Sequence, residues 1–136
     1  MNTRRWLLAS VAVFVVLAVL DFIIHGVLLH GVYQQTASLW RAPADIQRLM
    51  WIFWAGYLVF ATFFVFIYTQ GYEKDKSGVG QGFRFGLYVG AMLSVLHGFG
   101  WYVILPIPLT LSVYWFVATL VESIAMGITA GLVYRA

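Results

Sequence analysis

The stretch Trp6–Val32, WLLASVAVFVVLAVLDFIIHGVLLHGV, decides the fold. It is apolar for longer than the ~20 helical residues that cross a bilayer, yet it carries Asp21, His25 and His30. Arg4 and Arg5 precede it, as basic residues precede a signal peptide, and TRRWLL hints at a twin-arginine signal. The run extends well past a normal signal-peptide core and ends without a small-x-small cleavage site, so we read it as a retained first span.

Three more segments of this kind follow. The four spans are expected near 6–32, 49–70, 83–105 and 109–134. None shows the ten-residue alternation of a barrel strand, and open sheet edges cannot face lipid, so the spans are helices. The whole chain has 136 residues, 62% apolar, 18% aromatic and only 10% charged. Ordinary globular domains carry about a quarter charged residues, so this chain cannot clothe a normal surface in water. The sequence predicts one all-α domain over 1–136, a four-transmembrane-helix bundle of up-down topology whose solvent is the lipid bilayer. Cysteine is absent, which excludes disulfides, thiolate metal sites and thiol catalysis.

Charge sets the expected orientation. With four spans, Arg4, Arg5, Lys74, Lys76, Arg84 and Arg135 fall on one side and only Arg41 and Arg48 on the other. The positive-inside rule then places both termini in the cytoplasm. The same asymmetry accounts for the net charge of +3 without invoking nucleic acid. Tyr33, Trp40, Trp51, Trp54, Trp101, Tyr102, Tyr114 and Trp115 form an expected outer aromatic belt, and Trp6, Tyr68, Tyr72, Tyr88 and Tyr134 an inner one.

The connections differ in kind. In the first, QQTASLWRAPADIQR, Pro43 suits the first position of a helix and Asp45 its first turn. In the second, GYEKDKSGVGQG, the glycines have neither the strand nor the spacing of a phosphate cradle, so a flexible cytosolic turn is expected. In the third, LPIPL, two prolines force a break. Its apolar character predicts burial at headgroup depth or beneath a partner. Gly82, Gly86, Gly90 and Ser94 recur every four residues, as do Ser123, Gly127 and Gly131. Small residues at this spacing let helices approach closely in lipid, here expected within one bundle and not as a dimer motif.

The candidate site residues are Asp21, His25, His97 and Glu122, because ionisable groups at membrane depth are costly and face the bundle interior. At about 1.5 Å per residue, Asp21, His97 and Glu122 lie about 18–23 Å from the inner ends and His25 about 28 Å. Asp21 and His25 are four residues apart and share a helix face. His25 and His30 are five apart, roughly 140° around the helix, so His30 is read as interfacial.

Several chemistries fit this set. A hydrogen-bonded structural cluster would pair Asp21 with His25 and leave Glu122 protonated or bound to His97. Mid-membrane carboxylates can also load and release protons. A zinc or iron site would use Asp21, His97, Glu122 and possibly His25, although the paired Glu-x-x-His motifs of di-iron bundles are missing. A b-type haem between His25 and His97 faces a depth mismatch of roughly 8 Å. No cofactor is therefore expected, with haem and a divalent metal as the lesser alternatives. Neither a nucleophile elbow nor a soluble catalytic domain is present, so the chain is not read as an enzyme.

Taken together, VLDFIIHG, SLWR, GFRFGLYVG and YVILPIP resemble a family of small bacterial integral membrane proteins of unknown function. The resemblance covers nearly the whole chain and implies a multi-pass protein of the bacterial cytoplasmic (inner) membrane; it lends no site residues. Small multidrug transporters share the size and helix count, but their membrane glutamate is in the first helix, where this chain has Asp21; they serve as a class analogy only. The leading expectation is a non-enzymatic accessory or ligand-binding bundle, alone, with a membrane-protein partner or as a homo-oligomer. The alternative is a small proton-coupled transporter acting as a homo-oligomer. A transporter should have a cavity reaching Asp21 or Glu122, whereas an accessory protein should be packed shut there.

Overall fold

The computed structural model describes residues 1–135, so only Ala136 of the expected 1–136 domain lies outside the described residues. Among the described residues there is helix and no strand. Helix α1 (Thr3–Asp21) begins under Asn2, whose side chain accepts a 3.0 Å hydrogen bond from the Arg5 backbone N–H. That cap satisfies a free helical donor. The helix then widens into a π-helical segment, Phe22–Leu28, before breaking at Leu29. A short α2 (His30–Gln35) and a 3₁₀ turn (Ala37–Leu39) lead to α3 (Pro43–Gln70), which starts on Pro43 with Asp45 in its first turn, as expected.

Helix α4 (Gly78–Val95) widens in turn into a π-helical segment, Leu96–Gly100, followed by α5 (Trp101–Ile104). The Pro106–Pro108 break precedes α6 (Leu109–Val133). Four helical stretches are long and apolar enough to cross a membrane: Thr3–Leu28, Pro43–Gln70, Gly78–Ile104 and Leu109–Val133. Leu7, Val11, Val15 and Val19 lie exposed along one face of α1, which suits lipid and not water.

Two of the expected connections differ. The segment GVGQG is not a flexible turn but the first turns of α4, opened by Ser77, whose Oγ accepts from the Gly80 N–H. Its glycines are pressed on α6: a methyl on Gly78 would strike the Gly131 carbonyl, and one on Gly82 the Gly127 carbonyl. Gly86 meets the backbone of Ser123 in the same way. Packing fixes this segment as helix despite its weak helix propensity. The small-residue stripes thus face each other within the chain.

The LPIPL connection is covered in part by the chain itself. Ile107 is only 4% exposed and shares a cluster with Leu29, Leu39, Trp40 and Leu111, so the segment leading out of α1 folds over it. Ile104 and Leu109, by contrast, remain exposed.

Helix α6 lies against both α1 and α4, and α3 lies against α1. Helix α3 reaches α4 through Phe64 and Tyr68, whose rings meet Phe85 edge-on at 4.9 and 5.5 Å. Near the chain ends the Asn2 backbone N–H donates to the Tyr134 hydroxyl, and the Tyr134 ring stands 5.2 Å from Tyr72. Val13, Val65, Tyr68, Met126 and Ala130 fill this half of the bundle. Away from it, α3 and α4 part, and the polar groups lie there.

Candidate functional site

Asp21 is the last residue of α1 before the π-helical segment that carries His25. The two side chains face each other with His25 Nε2 3.7 Å from Asp21 Oδ1. From α3, the Tyr57 hydroxyl donates a 2.6 Å hydrogen bond to the same Asp21 oxygen. From α6, Glu122 completes the cluster: ligand-capable atoms of Asp21, His25 and Glu122 lie within 4.8 Å of one another. Glu122 is 8% exposed, and its Oε1 is buried without a hydrogen-bond partner. Buried polar groups in folded proteins are overwhelmingly paired.

The other face of His25 is held as firmly. Its Nδ1 lies 2.5 Å from the Tyr33 hydroxyl, which also accepts a 2.8 Å hydrogen bond from the Trp115 indole N–H. Trp40 stands edge-on to Tyr33 at 5.8 Å, and its own N–H is satisfied by Thr36 Oγ1. An indole can only donate, whereas a phenol can donate and accept. Tyr33 can therefore donate to Nδ1, leaving a proton on Nε2 toward Asp21. It can also accept from Nδ1–H, leaving the Nε2 lone pair free.

Sequence reasoning placed Asp21, His97 and Glu122 at one level; the structure brings His25 into that group in place of His97. The depth count did not resolve which way each side chain faces: His25 reaches back to Asp21, whereas His97 turns to Thr119 and Trp115. His97 sits in its own π-helical segment, with Nδ1 3.0 Å from Thr119 Oγ1 and its ring stacked 5.5 Å from Trp115. The expected Glu122–His97 pairing is not made, and His30 is exposed, away from the cluster. Tyr57, Tyr33 and Trp115 were not anticipated as site residues. Tyr57 had a readable signal, a hydroxyl in mid-span that must find a partner in lipid.

Two cavities converge on the cluster. One, of about 620 Å³, is lined by Tyr57, Leu93, His97, Thr119 and Glu122, between α3 and the end of α4. The other, of about 550 Å³, is lined by Asp21, His25, Arg41, Met50 and Trp54, between α1 and α3. His25 and His97 line different cavities. Comparison with protein-family models, curated proteins and solved structures finds no match for this chain, and the geometry alone carries the functional reading.

Proposed function

We propose that this chain is a non-enzymatic, multi-pass protein of the bacterial inner membrane that binds a small ligand in the outer half of its bundle. The proposed topology is up-down, with both termini in the cytoplasm. The count of six basic residues against two supports that orientation, and the meeting of Asn2, Tyr72 and Tyr134 supports placing both ends and the middle connection together. The motif resemblance to small bacterial membrane proteins agrees with it.

One observation carries the ligand reading. Glu122 is a buried carboxyl group with an unpartnered oxygen; it lines one cavity and lies beside Asp21 and His25, which line a second. A cluster that only fixed helix register would be expected to satisfy all its members and exclude space around them. Cavities that reach both Asp21 and Glu122 are also what the transporter alternative calls for, so the proton-coupled transporter is the second reading. It further requires the tightly packed half around Val65, Tyr68 and Met126 to open.

The cysteine-free background makes accessibility the direct test. Single variants Met50→Cys and Leu93→Cys, one on each cavity, are treated with a membrane-impermeant thiol reagent outside intact cells. Val65→Cys, in the packed half, is the control. Labelling of a cavity cysteine with Val65→Cys silent is the expected result. Silence at both cavity positions would overturn an outward-reachable ligand site.

A further inference from the structure

We propose that Asp21, His25 and Glu122 together form a binding site for a divalent first-row transition ion of the zinc class. This inference rests on reading the cluster as a ligand site and names the ligand. Three observations on independent elements support it. The first is donor chemistry: one imidazole and two carboxylates, with no sulfur, suit Zn²⁺ and its neighbours better than soft monovalent copper. Three protein ligands and one open position are a common zinc arrangement.

The second is the orphaned oxygen of Glu122. It is a buried carboxylate oxygen without a hydrogen-bond partner, on a side chain that brings a ligand-capable oxygen within 4.8 Å of those of Asp21 and His25. A cation there supplies what the protein does not. Charge balance selects the valence. Two ionised carboxylates and a neutral imidazole cancel a dication, whereas a monovalent ion would leave a net negative charge at membrane depth, where uncompensated charge is costly.

The third is the support behind the ligands. Metal-bound histidines characteristically hydrogen-bond through the ring nitrogen that does not face the metal, which fixes the ring. His25 has this arrangement through Tyr33, itself held by Trp115, while Nε2 faces Asp21. Tyr57 plays the matching part for Asp21. The spacing is close to what is needed. Metal bonds of about 2.0–2.1 Å in a tetrahedron set donor atoms about 3.3 Å apart, against 3.7 Å for His25 Nε2 to Asp21 Oδ1. The widest separation is at most 4.8 Å, and ligation would draw those donor atoms together. Arg41 lines one cavity but is exposed, and it makes no hydrogen bond to the three ligands among the described residues.

The test uses the full-length protein in lipid nanodiscs, stripped with a chelator and titrated with Co²⁺, whose visible bands report coordination number, followed by displacement with Zn²⁺. Saturation at one ion per chain with the intense bands of a four-coordinate site is expected, as is recovery of the apo spectrum on Zn²⁺ addition. Asp21→Asn, His25→Gln and Glu122→Gln should each weaken binding by more than the ~10–100-fold that removing a supporting partner costs. Tyr33→Phe should fall within that range, and His30→Gln should bind like the parent. Glu122→Gln removes no hydrogen bond of Oε1, so thermal unfolding of the stripped variant shows directly that it still folds. No saturable binding, or binding indifferent to Asp21→Asn and Glu122→Gln in folded protein, overturns the metal site. If Met50→Cys or Leu93→Cys is nevertheless labelled, the outward ligand site stands with a different ligand. Absent metal binding together with unlabelled cavity cysteines removes both.

Discussion

The contact between α4 and α6 gives the sharpest energetic prediction. A methyl group on Gly127 would lie 2.8 Å from both the backbone nitrogen and Cα of Gly86, and would overlap the Gly82 carbonyl. All three obstacles are backbone, so no side chain can turn aside and the helices must move apart. Overpacking costs about 1–3 kcal/mol, and rigid obstacles place this site toward the upper part of that range. Replacing glycine by alanine within a helix returns up to ~1 kcal/mol of propensity. Gly127→Ala should therefore destabilise by about 1–2 kcal/mol net, or roughly 5–30-fold in the unfolding equilibrium. Gly56, in α3, has nothing within 4 Å of an added methyl, so Gly56→Ala carries only the propensity gain and should be neutral or stabilising by up to ~1 kcal/mol. Reversible unfolding in mixed micelles, followed by tryptophan fluorescence, measures both. A Gly127→Ala protein as stable as Gly56→Ala would refute the close glycine packing.

The remaining predictions are briefer. Ile107→Cys should resist an impermeant thiol reagent even in purified protein, because the chain covers it, whereas Ile104→Cys, at 71% exposure, should label readily in detergent. Equal labelling would show that the segment from Leu29 to Trp40 does not close over the connection. A reporter active only in the periplasm, fused after Arg135, should stay silent; a strong signal would reverse the orientation. The Lys76 ammonium, hydrogen-bonded to Glu73 at 2.6 Å, holds its carboxyl below the usual range. The pair therefore contributes above that range and is lost as pH falls through the depressed value. Lys76→Gln should raise the Glu73 titration midpoint in a carboxyl-resolved NMR experiment; no movement would show that the pair is not formed.

Much of the fold was readable because four segments are long and apolar enough to cross a membrane. Long apolar runs can only be helices there, and Pro43 and the Pro106–Pro108 pair mark where helices start and stop. The start of α4 was misread because glycine signals flexibility when the contact that immobilises it, here the α6 backbone, is remote in sequence. At the site, the Asp21–His25 pair followed from four-residue spacing, and Glu122 from its cost in the membrane. His25 was separated in depth from Glu122 and His97 was drawn in, because depth alone does not tell which way a side chain faces; the π-helical segments Phe22–Leu28 and Leu96–Gly100 were not foreseen either. Each contains a His-Gly pair, His25–Gly26 and His97–Gly98. Gly98 is held against Phe116 and the Ser112 carbonyl, and the Ser112 hydroxyl donates back to the Gly98 carbonyl at 2.5 Å. Such local widening of a helix frequently accompanies functional sites, and a histidine followed by glycine within an apolar span was the available hint.

The weight of the functional reading falls on how the polar groups are satisfied. Asp21 accepts from Tyr57, His25 is bridged through Tyr33 to Trp115, and His97 is bonded to Thr119. Three helices thus supply partners for three of the four ionisable groups, and the fourth is left open. Tyr68 Oη and Ser94 Oγ are also unpaired, but they are neutral hydroxyls. An unpaired hydroxyl costs on the order of 1–3 kcal/mol, which close packing can offset. A carboxyl group at membrane depth costs at least as much merely to insert, about 2.5–3.5 kcal/mol, before any unmet hydrogen bond is counted. A leucine or methionine at position 122 would avoid that cost and close the adjoining cavity. A purely structural origin therefore explains the bonded groups well and Glu122 poorly. A ligand that binds where Asp21, His25 and Glu122 meet accounts for the open carboxyl as well, with Tyr57 and Tyr33 holding the other two groups in place.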